Sequence, residues 1–229
     1  MSVRRVLTAS RVLRTGGLSF DGVDDYASVS DSPYFRGSEL TIMAWVNIAA
    51  VRGSGWQFLI SIPFSYNSYG WALIITAPGT QVLFTWHWTG GHKGIFWYED
   101  VTKAGWINIA VTYSESNATA AIYRNGVLMS SVTGITPYVK PSSSPLTINF
   151  FKSIKGLIGE VRIYNRALTQ DEISRIYNTG EIIRDGLVLL LDFSEYEGST
   201  AYDKSGYGNN GTIYGAQWVI KKAKRVVSI

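Results

Sequence analysis

The stretch LTIMAWVNIA at 40–49 decides the class of fold. Leu40, Ile42, Ala44, Val46 and Ile48 fall on one side, and Thr41, Met43, Trp45 and Asn47 on the other. A period of two is that of a β-strand with one face against a core. WINIAVTY at 106–113 repeats the pattern, with Ile107, Ile109 and Val111 opposed to Asn108, Ala110 and Thr112. Asn125-Gly126 lies between AAIYR and VLMSSV. Asn-Gly supplies the positive φ angles of a type I′ turn, so a tight hairpin is expected there. Further strands are expected at 17–20, 26–30, 56–62, 69–76, 81–88, 94–98, 146–151, 156–164, 187–193 and 211–218. So many strands in one chain imply two stacked antiparallel sheets.

One segment departs from alternation. Thr169-Gln-Asp-Glu172 is a capping box, and Ile173, Ile176 and Tyr177 follow at helical spacing before Gly180. A single short α-helix is predicted over 170–178, plugging an edge or corner of the sandwich.

Composition agrees with an all-β domain. Of 229 residues, 46% are hydrophobic and only 17% charged, ample for a core and sparse for a surface. Eight Trp, 14 Tyr and 9 Phe exceed what one sandwich needs inside, so some rings are expected at the surface or between subunits. The absence of cysteine excludes disulfides, thiolate metal sites and a cysteine nucleophile. No apolar run fits a signal peptide or a membrane span, and the opening methionine favours a full-length chain.

The net charge of +4 belongs to the ends. Arg4, Arg5, Arg11, Arg14, Lys221, Lys222, Lys224 and Arg225 meet no acidic residue in either tail; without them 13 basic residues face 17 acidic ones, about −4 for the body. The chain is therefore divided into a basic tail at 1–16, one sandwich domain at 17–219 and a basic tail at 220–229. The body lacks the basic face that nucleic acid requires. The tails read as solvated arms, or as arms holding an anionic partner such as nucleic acid.

LSFDGVDDYASV at 18–29, LTIMAWVNI at 40–48, GWINIAVTY at 105–113, IYRNGVL at 122–128 and GEVRIYNRALTQDEISRIY at 159–177 resemble, in order, the successive signatures of the laminin G-like, concanavalin A-like lectin/glucanase superfamily. The resemblance implies a two-sheet antiparallel jelly roll. It also implies a structural charge pair between Glu160 and Arg162. GLVLLLDFSEYEGSTAYDKSGYGNNGTIYGAQWV at 186–219 resembles a segment that in many members precedes the FDGxxDY strand, yet here it follows the helix. It reads as a truncated second repeat, a strand pair donated to a neighbour, or a permuted first strand pair. Being too short to bury a core of its own, it is assigned to the same domain.

Glycosidases of this fold carry two catalytic carboxylates two apart on one strand, and no such run is present. Glu195 and Glu197 have the spacing, but SEYEGST reads as a turn. An enzyme is not expected, and a glycosidase is the remote alternative. The resemblance implies a rim calcium ion, for which Asp24, Asp25, Asp203, Asn209 and Asn210 supply oxygens, although these residue types also favour tight turns. His87 and His92 form a weaker transition-metal candidate.

The richest binding composition lies in PFSYNSYGWALII and FTWHWTGGHKGIFWYED, which hold Phe64, Tyr66, Tyr69, Trp71, Trp86, His87, Trp88, His92, Lys93, Trp97 and Tyr98. Flat rings stack on the C–H faces of sugars while polar groups meet hydroxyls. Tyr66, Tyr69, Trp86, His87, Trp88, His92, Trp97 and Tyr98 are taken as candidates for glycan binding or assembly. Alternation divides them, because Phe84, Trp86 and Trp88 share one face of their strand and Thr85, His87 and Thr89 the other. Core packing is the competing reading for most. The expected function is a non-catalytic module recognising a glycan or glycoprotein surface, outside the cell or on a virion, within an adhesive or larger self-associating assembly. A purely structural virion or surface-layer protein is the alternative.

Overall fold

The computed structural model describes residues 16–62, 70–88, 90–141 and 143–220. The strands are β1 (Gly16–Asp21), β2 (Tyr26–Val29), β3 (Glu39–Val51), β4 (Trp56–Ser61), β5 (Trp71–Thr76), β6 (Gln81–Trp88), β7 (Gly91–Tyr98), β8 (Ile107–Ser114) and β9 (Thr119–Arg124). They continue with β10 (Val127–Thr133), β11 (Leu146–Ile148), β12 (Ile154–Tyr164), β13 (Leu187–Leu191), β14 (Thr200–Ala201), β15 (Gly211–Tyr214) and β16 (Gln217–Ile220), and helix α1 (Gln170–Thr179) precedes β13. They form two eight-stranded antiparallel sheets. One runs β10-β9-β8-β3-β12-β1-β16 with β13 also on β12, and the other β14-β15-β2-β11-β4-β5-β6-β7.

The alternation at 40–48 sets the layers. Leu40, Ile42, Ala44, Val46 and Ile48 join the core between the sheets, with Phe84, Trp86, Ile109, Val111 and Ile122. The other face of β3 is not left to solvent. Met43, Ala110, Ala121 and Tyr123 pack beneath Ile173, Ile176 and Leu168 in a second apolar layer. Trp45 stacks on Tyr177, with ring centres 5.5 Å apart. The helix therefore covers the outer face of the first sheet rather than plugging an edge or corner. Its capping box forms as expected, Thr169 accepting from the Glu172 backbone N–H, and Gly180 ends it at φ 73°.

The Asn125-Gly126 hairpin between β9 and β10 has φ angles of 51° and 79°, as a type I′ turn requires. The runs expected at 146–151 and 211–218 are each broken by a turn. Residues 146–151 leave the sheet after Ile148 because Asn149 turns at φ 59°. There its buried amide donates to the carbonyls of Asp25 and Ile154, at 3.0 and 3.3 Å. Residues 211–218 divide at Gly215, φ 77°. β15 pairs with β2 in one sheet, and β16 pairs with β1 in the other.

The carboxy-terminal segment pairs with its own chain throughout. β1 and β13 share one flank of β12, β1 along residues 155–158 and β13 along residues 161–164. β14 and β15 extend the second sheet beyond β2. The basic residues of both tails lie outside the described residues.

Candidate functional site

The outer face of the second sheet carries a groove at its β6–β7 end. Val82, Phe84 and Trp86 of β6 and Ile95 and Trp97 of β7 point into the core, so Leu83, Thr85, His92, Phe96 and Tyr98 project from the opposite face. A cavity of about 300 Å³ is lined by Trp56, Gln81, Leu83, Thr85, His92 and Phe96, with Lys93 and Gly94. Gly94 lets β7 lie close against β6 at the floor. A Cβ there would come within 2.7 Å of the Phe84 carbonyl and 2.9 Å of a Leu83 methyl. The Thr85 hydroxyl ties the floor together by donating to the Lys93 carbonyl at 2.8 Å.

The walls are aromatic. Trp56 is 41% exposed and Phe96 44%, and Tyr98, outside the lining but on the same face, is 74% exposed. Phe96 and Tyr98 meet edge to face at 5.3 Å. Trp56 meets His92 edge to face at 6.1 Å, and His92 meets His87 at 5.0 Å. Partial burial, reinforced by the neighbouring His87, holds the His92 imidazolium below its ordinary pKa. The groove thus presents a neutral imidazole at pH 7.

This placement corrects part of the expected site. Trp86 and Trp97 are 1% and 5% exposed and belong to the core. Their indole N–H groups donate inside the protein, to the Thr136 carbonyl and to Glu99 Oε2, each at 3.2 Å. Trp71 is likewise buried, donating to the Phe35 carbonyl at 2.9 Å. Trp88 sits half-buried at the hairpin end with Lys93 Nζ 4.9 Å from its ring centre. His87, His92 and Tyr98 remain at the surface of the same sheet, while Phe64, Tyr66 and Tyr69 lie outside the described residues. Trp56 and Phe96 are the residues that composition missed. In GIFWYED both alternation phases carry an aromatic, and only pairing with β6 shows that Ile95 and Trp97 take the inward one.

The expected calcium ligands do not converge. Asp203 Oδ1 accepts from the backbone N–H groups of Leu190 and Ser205, and Oδ2 from the Ser205 hydroxyl and the Asn209 N–H. Asn209 donates to the Val188 carbonyl at 2.8 Å, and Asn210 accepts from the Asp203 N–H at 2.9 Å. These residues fasten their loop to β13. Gly211 pairs with Val29 and Tyr214 with Tyr26, so Asn209 and Asn210 leave one end of β15 while Asp24 and Asp25 lie at the other. Asp24 and Asp25 instead join Asp21, with ligand oxygens within 4.8 Å of one another. This trio has the hard oxygens calcium prefers. Two of those oxygens already hold the turn, Asp25 Oδ2 accepting from the Asp21 N–H and Asp21 Oδ1 from the Val23 N–H, each at 2.7 Å. Burial, with the charges of Asp21 and Asp24, pushes the Asp25 carboxyl above its usual pKa.

Glu160 and Glu195 are engaged structurally. Glu160 and Arg162 form a buried ion pair at 2.8 Å, and Arg162 also donates to the Glu181 carbonyl. Glu195 pairs with Lys204 at 2.9 Å. Among the described residues that line the groove there is no carboxylate.

Two antiparallel sheets, one capped outside by a helix and the other bearing an aromatic groove, define a jelly-roll sandwich of the laminin G-like kind. The family model of the concanavalin A-like lectin/glucanases superfamily matches residues 21–174, and the chain belongs to that family. No curated protein sequence matches it. Among solved structures it is similar to a candidate carbohydrate binding protein from Bacteroides ovatus, at TM-score 0.70 and 19% identity, over 91% of this chain and 60% of that one. It is also similar to the heptameric SAP-like pentraxin of Limulus polyphemus, at 0.57 and 13%, over 91% and 96%. A third is the CBM40 domain of the Ruminococcus gnavus IT-sialidase, bound to α2,3 sialyllactose, at 0.56 and 13%, over 70% and 96%. At these identities the likeness is one of fold. No helix among the described residues is long and apolar enough to cross a membrane.

Proposed function

We propose that the chain is a non-catalytic carbohydrate-binding module whose ligand lies in the groove over β4–β7. The observation that carries this reading is the pair of half-exposed rings, Trp56 and Phe96, lining one groove of about 300 Å³. A pyranose ring offers an apolar C–H face to such platforms, while its hydroxyls find the Gln81 amide and the His92 imidazole. Retaining or inverting hydrolysis needs two carboxylates flanking the bond, and the described lining provides none. The fold is shared with the Bacteroides ovatus protein and with a CBM40 domain solved with a sialylated sugar, which supports carbohydrate as the ligand class. A glycan array probed with the wild-type chain and with Trp56→Ala tests the reading. Binding that falls roughly 5–30-fold in the variant is expected; wild-type binding that survives the substitution unchanged, or its absence across the array, contradicts it.

Self-assembly rests on a different surface. β10 is the edge strand of the first sheet, and its Val127, Leu128 and Met129 are 61%, 47% and 43% exposed. Its seven residues include no charged residue. An apolar, uncharged edge can template pairing with a second chain. Light scattering should show concentration-dependent association of the wild type that Leu128→Lys abolishes; a wild type that stays monomeric removes this reading.

A further inference from the structure

His87 and His92 are the chain's only histidines, and the β6–β7 ladder sets them directly opposite each other. Side chains so placed leave the sheet on the same face with their Cβ atoms about 5 Å apart. The two ring centres are 5.0 Å apart, with the planes at 60°. Zinc binds imidazole nitrogen at about 2.0–2.1 Å, which puts the ring centre roughly 3.2 Å from the metal; two rings on one ion at a near-tetrahedral angle then have centres about 5.2 Å apart. The observed 5.0 Å between ring centres is close to that separation.

The nearest cation on the hairpin, Lys93, has its ammonium over the Trp88 ring at 4.9 Å. The carboxylate trio at Asp21, Asp24 and Asp25 is a separate feature with oxygen donors only. Nitrogen donors suit borderline transition ions, whereas calcium prefers oxygen.

We propose that His87 and His92 form a two-imidazole site for a transition-metal ion of the Zn²⁺ or Cu²⁺ type, at the rim of the groove. The remaining coordination positions take water or an oxygen donor from solvent. The site stands on the histidine pair and does not depend on carbohydrate binding.

The test uses the full chain without a purification tag, titrated separately with ZnCl₂, CuCl₂ and CaCl₂ by calorimetry. Trp56, in edge contact with His92, gives a second readout, since bound Cu²⁺ quenches nearby indole fluorescence. One equivalent of Zn²⁺ or Cu²⁺ should bind, at least about tenfold more weakly in His92→Gln and in His87→Ala, whereas any calcium heat should be the same in the wild type and both variants. His92 is exposed, so His92→Gln should melt like the wild type and keep the comparison free of folding effects. Copper bound to the wild type should show nitrogen couplings from two imidazoles by electron paramagnetic resonance. Metal affinity equal in the wild type and the double variant His87→Ala/His92→Ala would overturn the proposal, as would a wild type that binds neither ion.

Discussion

Replacing Trp97 and Trp56 by alanine in separate chains should separate the core from the site. Trp97 is 5% exposed and hydrogen-bonded to Glu99. Its removal leaves a large cavity between the sheets, where Phe or Trp to Ala changes cost about 3–5 kcal/mol. For a chain of this size each kcal/mol lowers Tm by roughly 2–4 °C, so Trp97→Ala should melt about 6–20 °C below the wild type. Trp56 is 41% exposed, on the outer face at the start of β4. Its loss should cost under about 1 kcal/mol of stability, a shift of no more than a few degrees. It should instead remove about 1–2 kcal/mol of ring stacking from ligand binding, a loss of roughly 5–30-fold in affinity. Differential scanning calorimetry and glycan titration of both variants provide the two readouts. A Trp97→Ala chain that melts like the wild type, beside a Trp56→Ala chain that melts far below it, would show the alternation phase of the groove to be inverted.

Other outcomes follow from the helix and its hairpin. Arg166 grips Glu172 through two hydrogen bonds of 2.9 and 2.7 Å, holding the carboxyl down to about 2 from 4.5. A depressed carboxylate pKa contributes stability that is fully present above the unfolded value and is lost as pH falls through the folded one, here between about 4.5 and 2. With both side chains partly solvated the effect should be about 1–2 kcal/mol. Thermal melts should therefore separate Glu172→Gln from the wild type at pH 7 and bring them together near pH 2. Gly126→Ala forces a Cβ onto a residue at φ 79° and should cost about 1–2 kcal/mol. Because the Gly126 carbonyl accepts from Ser174 at 2.9 Å, hydrogen exchange should also quicken in α1.

Much of this architecture was legible because local chemistry and tertiary packing agree. The alternation at 40–48, the Asn125-Gly126 turn and the Thr169–Glu172 box each name an element that the structure contains. Agreement fails where a tertiary contact overrides the local pattern. Asn149 and Gly215 interrupt runs that read as continuous strands, one to hydrogen-bond across loops and the other to carry the chain between sheets. Gly215 also lies against the buried Asp25 carboxylate, where no side chain fits. The proposed groove was legible only as a region. Aromatic density pointed to β6 and β7, but a strand with rings in both phases does not reveal which ones face solvent. Trp56 carried no signal at all, because its role depends on a neighbour, His92, that lies 36 positions further along the chain.

The central claim is that carbohydrate occupies the groove beside Trp56. It is tested most directly by following the indole N–H resonances of the eight tryptophans while titrating a glycan selected on the array. The indole of Trp56 should shift in a saturable way, while those of the buried Trp71, Trp86 and Trp97 hold still. Saturable binding that leaves Trp56 unmoved would place the ligand elsewhere and contradict the claim.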